Sequence, residues 1–515
     1  MKPLDQQPSW SGHLQPLLVA GLVLTTWMAG DPLFAQSSPA PSPQPTLTPT
    51  ETPSPEETTS GDPALPSGDI TLPPPPPQLG IPADVPSPSI SPTPTAEQLV
   101  VPDSPLEVRI VTTQGLSLQA ALDLASQNNP SIRQAELAVI RAQTSLDQAR
   151  AAYSLTLSGS SRYTYSQPPD QGNPQSGDSS SLSSTPLRVD YTVLDGGLRD
   201  SATQAAQESL TIAQLELAET IQTVRLSVAS AYYDLQNSNA QVAINQAAVA
   251  NSEASLKDAQ VREQAGLGTR FDVLQAETEL ANNQQSLISA QNTQQLSRRR
   301  LAELLNFASP TDVTATDPIQ PFGAWDLSLE ETIVAAFANR QALEVQRRTL
   351  QRAKDQAINA LAANKPQVSL FATFDTGYNL QIDDSFDVGY SAGANFSVTY
   401  FDGGAAAAQK RGFDVDGDIA ISQFDQARNE IQRGVEDAFL TLNSSREQIE
   451  SSKTAIVSAE ESLRLARLRF QAGVGTQTDV ISAETALTRA RGNLSSAIIG
   501  YNRALSQLQR AIGEL

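Results

Sequence analysis

Apolar positions recur along this chain in two rhythms. In two proline-free stretches of 67 residues, 198–264 and 405–471, the first is a step of seven. Ile221, Val228, Leu235, Val242, Val249 and Leu256 form one ladder; Val435, Leu442, Ile449, Ile456 and Leu463 form another, which Arg428 breaks. A strict seven-residue period imposes a left-handed supercoil, so both stretches are predicted as coiled-coil helices. Unbroken, each would run about 100 Å. The second rhythm is alternation. Residues 155–165 and 367–378 alternate, and after Gly, Ser, Asp and Pro so do 187–194 and 388–401. These are predicted strands, two before each long helix.

The two rhythms belong to one unit written twice. Residues 261–280, VREQAGLGTRFDVLQAETEL, return as 468–487, LRFQAGVGTQTDVISAETAL, with 12 of 20 positions identical at an offset of 207. The same offset carries Asp195-Gly196-Gly197 onto Asp402-Gly403-Gly404. An offset shared by separate motifs marks a duplicated structural unit. Each copy opens with a shorter helix, one capped by Ser117 and running through Asn129-Pro130 to about Ser154, the other starting at Leu327-Ser328-Leu329, offset 211. The offset falls to 207 because the first hairpin loop, 166–186, is longer, as an exposed tip permits. After each long helix the chain turns at Gly266-Leu267-Gly268-Thr269 or Gly473-Val474-Gly475-Thr476 and returns as a helix, to about Leu305 and Ile512. The copies are therefore 116–305 and 327–513. They are joined by 306–326, which holds Pro310, Pro318 and Pro321 and is expected as a band outside the helices.

Before the first copy the composition changes. Lys2 precedes an apolar run over 17–28, and Leu33-Phe34-Ala35 offers a cleavage site, so 1–35 is expected to be a secretory signal rather than a retained anchor. Residues 36–105 hold 21 of the 34 prolines and no Lys or Arg, a composition that buries no core and predicts an extended spacer rather than a wall-binding element. The formal charge of -22, of which -8 lies in that spacer, argues against nucleic acid, whose phosphates need a basic footprint. There is no cysteine, and the one histidine, His13, lies in the expected signal. Zinc sites, thiol nucleophiles and Ser-His-Asp chemistry are excluded from the remainder, and no cofactor or metal is expected.

Strands of about ten residues can cross an outer membrane when tilted, but the smallest membrane barrels need about eight strands. Four strands in one chain would leave backbone amides unpaired in lipid, at roughly several kcal/mol each. Either the hairpins sit in water or several chains close one barrel. Three chains would supply twelve strands above a ring of helices.

The order of helix, strand pair, Asp-Gly-Gly, long helix, Ala-Gly-x-Gly-Thr-x-x-Asp-Val and return helix, twice over in 116–513, resembles the TolC family of outer membrane efflux proteins. The Pro-rich extension is similar to cyanobacterial members. The resemblance implies a mostly α fold with a membrane β-barrel portion: a homotrimeric α/β channel-tunnel whose twelve-stranded barrel continues as a helical barrel into the periplasm. It implies an exit duct for tripartite efflux or type I secretion, in contact with outer membrane lipid, a periplasmic adaptor and an inner membrane transporter, with no catalysis of its own. In such a duct the tips Gly266, Leu267, Gly268, Thr269, Asp272, Gly473, Val474, Gly475, Thr476 and Asp479 dock the adaptor, and the glycines would let its backbone approach.

The residues themselves also read as a turn and a cap. Thr269 with Asp272 and Thr476 with Asp479 have capping-box spacing. Asp479 is the candidate for a ring of carboxylates at the pore aperture; the family's second acidic position is Ser482 here. Asp195, Gly196, Gly197, Asp402, Gly403 and Gly404 are expected to cap the strand-to-helix junctions. Arg298 to Arg300 are expected only to offset a helix dipole. The alternatives from the residues are a soluble periplasmic coiled-coil scaffold or adaptor, and a carboxylate-based hydrolase, which lacks a compact domain to hold its acids.

Overall fold

Prolines, glycines and hydroxyl caps mark many of the element boundaries. The computed structural model describes residues 101–105, 107–110, 112–166, 180–307, 310–379 and 386–515. The expected signal, all but the last residues of the expected spacer, and most of the first hairpin loop lie outside them. All described residues fall in the compact unit Gln78–Leu515.

Strand β1 (Thr112–Leu116) leads into α1 (Leu118–Asn128), where Ser117 Oγ accepts from the Ala120 amide at 3.3 Å. Asn129 closes α1 and caps α2 (Pro130–Ala151), accepting from the Ser131 amide at 2.9 Å. Pro130 stands where a helix has no use for an amide hydrogen. The second copy repeats this as α5 (Leu329–Asn339) and α6 (Gln341–Ala362), with Ser328 and Glu331 forming a capping box.

Six later strands form one antiparallel sheet. In the first copy β2 (Thr156–Gly159) and β3 (Arg162–Ser166) run out, and β4 (Ser180–Ser184) and β5 (Leu187–Leu194) return. The second copy supplies β7 (Gln367–Asn379) and β8 (Phe386–Ser397). Sequence alternation treats 155–165 as one strand and carries the last strand to 401; the structure breaks the first at Ser160-Ser161 and ends the last at Ser397. Pro186, which cannot donate to a ladder, sits opposite that break, and its carbonyl accepts from the Ser160 amide at 3.2 Å. The outgoing pair lies at one edge, then β5 with β4, then β7, then β8 at the other edge.

Helices α3 (Leu198–Gln264) and α7 (Ala405–Gln471) are unbroken over 67 residues. On α7 the buried seam Ile431, Val435, Ala438, Leu442, Ser445, Ile449 alternates steps of four and three, the heptad pattern. Return helices α4 (Arg270–Leu305) and α8 (Gln477–Ala511) pack beside them. Neighbours in the lower layer run α4, α3, α8, α7, and in the upper layer α2, α3, α6, α7. Thus α2, α4 and the outgoing strands share one edge, and α7 and β8 the other.

Between the layers the linker is built in. It contains β6 (Thr311–Ala315), which pairs in parallel with β1, Thr112 opposite Thr311 and Leu116 opposite Ala315. Arg298 and Arg299 hold Asp312 of that strand at 3.5 and 3.1 Å, so these arginines tie the linker to α4 rather than merely offsetting a dipole. Further on, the Phe322 amide donates to Asn502 Oδ1 at 2.8 Å and Tyr501 donates to the Gly323 carbonyl at 2.9 Å, clipping the linker to α8.

Candidate functional site

The two repeated turns come together at one end of the helices. At the first, the Gly266 amide donates to the Glu263 carbonyl at 3.0 Å and the Leu267 amide to the Arg262 carbonyl at 2.8 Å; at the second, Gly473 donates to Phe470 at 3.0 Å and Val474 to Arg469 at 3.0 Å. This pair of bonds is the Schellman motif, which satisfies the last carbonyls of a helix and places a left-handed residue just past its end. That residue is Gly266 (φ +69°) or Gly473 (φ +77°), with open space where a side chain would be. Gly268 and Gly475 are favoured for another reason: a Cβ there would crowd the preceding helix, standing 3.1 or 3.0 Å from the Cβ of Arg262 or Arg469. Turn geometry thus accounts for all four glycines without a partner's approach.

The next residues start the return helices. Thr269 Oγ1 accepts from the Asp272 amide at 3.2 Å while Asp272 Oδ2 accepts from the Thr269 amide at 3.0 Å; Thr476 and Asp479 repeat the box at 3.2 and 2.9 Å. The amide and hydroxyl of Thr476 hold the Asp479 carboxyl below the usual aspartate range, so it is ionised at neutral pH. What faces outward is apolar: Leu267 is 75% exposed, Val474 70% and Phe271 70%.

The turns are also joined to each other. Arg262 Nη1 donates to the Phe470 carbonyl at 2.8 Å with its guanidinium 4.5 Å from the Phe470 ring centre, and Gln275 donates to Thr478 Oγ1 at 3.1 Å. Above them Glu484, nearly buried, accepts from Ser255 at 2.9 Å and Arg467 at 2.8 Å. The repeat alignment contained a sign of Arg262, since it is identical in both copies as Arg469, but its acceptor is a main-chain carbonyl that leaves no mark in sequence.

At the far end of the long helices stand the Asp-Gly-Gly corners. The helix cap position is Gly197 or Gly404, and the aspartate two residues earlier reaches past it. Asp195 accepts from the Gly197 and Arg199 amides at 3.1 and 2.8 Å, and Asp402 from Gly404 and Ala406 at 2.8 and 2.7 Å. A side-chain hydrogen bond from Asn364, with those amides, pulls the Asp402 carboxyl down to about 2. Gly196, Gly197, Gly403 and Gly404 all have positive φ, from 67° to 92°.

Beyond the corners one face of the sheet is apolar and uncovered. Cross-strand partners place Tyr191 opposite Leu370, Leu187 opposite Phe374, Phe374 opposite Tyr390, and Val368 opposite Phe396 on that face. Leu157, Leu187, Tyr191, Leu370, Phe374, Tyr390 and Phe396 are all exposed. The opposite face carries Arg188 paired to Asp190 at 2.7 Å and Thr373 bonded to Ser391 at 2.7 Å. Tyr400 and Phe401, 91% and 86% exposed, stand where the sheet meets α7, the position of an interfacial aromatic girdle. Alternate faces, one apolar and one polar, are the pattern of a strand between lipid and an aqueous lumen. No helix among the described residues is long and apolar enough to cross a membrane.

The helical portion holds an open groove of about 890 Å³ between α3 and α4, lined mainly by Asn, Gln and Ser. Its one carboxylate, Asp234, is bound by Arg503 at 2.6 Å, so it offers no acid pair for hydrolysis. Among the described residues no three His, Cys, Asp or Glu gather closely enough to hold a metal ion.

An uncovered strand face continued by paired helices of such length defines a membrane channel with a long soluble stem. Residues 121–306 and 332–514 match the family described as "Outer membrane efflux protein", and the chain belongs to that family. Protein CyaE of Bordetella pertussis is 25% identical over 381 residues, covering 73% of this chain and 79% of its own. Outer membrane protein TolC of Escherichia coli is 24% identical over 427 residues, 78% and 83% of the two chains. Among solved structures, the outer membrane protein VceC of Vibrio cholerae superposes with a TM-score of 0.65 over 77% of this chain and 96% of its own, at 21% identity, which establishes the shared fold. This chain is therefore an outer membrane efflux channel with a long periplasmic helical tunnel, and not an enzyme. The water-soluble scaffold and the hydrolase are set aside.

Proposed function

We propose that three copies of this chain close into a twelve-stranded barrel over a helical tunnel. In this reading the duct receives cargo at its periplasmic end from an inner membrane transporter held by a periplasmic adaptor, in tripartite efflux or type I secretion. The observation that carries the reading is the pair of unlike open edges. The edge bearing the outgoing strands, α2 and α4 differs from the edge bearing β8 and α7, so copies join head to tail, and head-to-tail contacts close into rings. Ring closure also pairs the edge-strand amides that lipid would leave unsatisfied.

The adaptor is assigned to the tips through Leu267, Phe271 and Val474, apolar side chains held outward on turns rigid at both ends. Asp479, ionised and at the mouth of the tunnel, is assigned to cation attraction there. The selective step belongs to the transporter, because a wide aqueous duct discriminates little among cargoes. The test pairs Leu267→Glu with Val474→Glu. Neither side chain is packed, so barrel assembly should be unchanged while adaptor binding and export fall together. Normal export by the double variant at equal protein level would remove the tips from the docking site.

A further inference from the structure

The upper layer of helices carries one arginine twice. Helices α2 and α6, each 22 residues long, align at the offset of 211, and four of their positions are identical. Three of the four are alanine: Ala142, Ala149 and Ala151 with Ala353, Ala360 and Ala362. The fourth is Arg141 with Arg352. Both stand mid-helix, where the dipole calls for no cation, so balancing a helix end does not explain them.

Their surroundings set them apart from the other arginines of these helices. Arg133 pairs with Glu136, Arg150 with Asp147, Arg347 with Glu344, and Arg348 with Glu344 and Glu208. Among the described residues neither Arg141 nor Arg352 has a carboxylate partner or any side-chain hydrogen bond. Arg141 is exposed and Arg352 half-buried, and both line one open hollow of about 860 Å³ whose wall is otherwise mostly alanine, serine and side-chain amides. Glu216 is the one acid in that wall, and it forms an ion pair with neither arginine.

This hollow lies on the tunnel side of the helices. Helices α2 and α7 end the upper layer, and a hollow lined by both is on its concave face. Steps of seven carry Ala206 down α3 to Asp234 and Ser209 to Asn237, residues of the polar groove between α3 and α4, so one wettable face continues along the stem. The linker bonds α3 at Tyr232 and Gln236, about 150° round the helix from that face.

We propose that Arg141 and Arg352 form an oxyanion-binding station on the inner wall of the tunnel, holding a carboxylate, sulfate or phosphate group of cargo in transit. This rests on the ring closure argued above, which would set six such guanidiniums round the duct. A guanidinium offers a planar fork of donors that matches an oxyanion. Arg352 has both neighbouring helices, α3 and α7, in its own chain and is unpaired there, so it carries the site. Arg141 stands at the open edge, where Asp416 on the next copy's α7, the counterpart of Ser209, offsets part of its charge. Glu216 repels the same anions and weakens the station.

The test is block of single channels by inorganic pyrophosphate, added on the barrel side of the reconstituted protein. Wild type should be blocked, and Arg352→Gln should need roughly twofold to fivefold more pyrophosphate for half-block. Arg352→Lys should fall between the two, and Glu216→Gln should need less than wild type. No block of wild type, or equal half-block in wild type, Arg352→Gln and Glu216→Gln with trimers intact by native mass, overturns the station and leaves the duct standing. The chain has no cysteine, so Arg352→Cys supplies a single thiol. A negatively charged thiosulfonate reagent should label it and change the single-channel conductance. Labelling that leaves the conductance unchanged puts Arg352 outside the duct and overturns the ring reading on which the station rests.

Discussion

Tyr232, fully buried on α3, donates its phenol hydrogen to Asp317 Oδ2 at 2.9 Å, and the Asp317 amide lies 3.2 Å from the same phenol oxygen. Asp317 also accepts from the Leu118 amide at 2.7 Å, so one residue of the linker joins the long helix to the start of α1. Burial raises the Tyr232 phenol well above its ordinary value, and the hydroxyl stays protonated throughout the physiological range.

Tyr232→Phe should therefore destabilise the middle of the molecule, taking one donor from the half-buried Asp317. The expected cost is about 1–3 kcal/mol. Thermal unfolding should show it, and proteolysis should become faster at the linker while the tips stay resistant. An unchanged melting temperature would mean that the linker is held by its other contacts alone.

Glycines at the Asp-Gly-Gly corners should not be equal. A Cβ at Gly196 would overlap the Cβ of Lys365, whereas Gly197 and both second-copy glycines face open space. Gly197→Ala, Gly403→Ala and Gly404→Ala should each cost about 1 kcal/mol, the price of left-handed backbone for a residue with a Cβ. Gly196→Ala should cost more, through overlap added to the same strain. Equal melting temperatures for all four variants would contradict the packing of that corner on Lys365.

Acid should loosen the second corner in a defined window. Asp402 is pulled from the ordinary 3.8 to about 2, so the folded chain binds fewer protons than the unfolded chain in between. A depressed acid contributes stability that is complete above its unfolded value and disappears as pH falls through the folded one. The difference in stability between wild type and Asp402→Asn should be constant above about pH 5 and shrink between about pH 4 and 2. A difference that grows on acidification has the wrong sign for this cap.

Much of this architecture was legible in the chain. Both long helices end at the repeated Ala-Gly-x-Gly-Thr turns, and Thr269 and Thr476 form the capping boxes that their spacing to Asp272 and Asp479 suggests. Those signals are local, set by periodicity or by residues three apart. The β1–β6 pair was not legible, because TTQGL and TDVTA carry little apolar alternation and each strand is stabilised by a partner 199 residues away. The Arg262 contact was hidden since carbonyl acceptors belong to every residue. Alternation alone also missed the break at Ser160-Ser161, which Pro186 on the neighbouring strand explains. At the turns, the repeated glycines suggested room for a partner; the structure traces them to backbone conformation and to the preceding helix turn.

One chain carries two unlike edges that only further copies can satisfy. The direct measurement is the native mass of the protein extracted in mild detergent, against 54.8 kDa for the full 515-residue chain. Three chains, falling to one only on heating or strong denaturation, is the predicted result. A stable, folded single chain in detergent would contradict it.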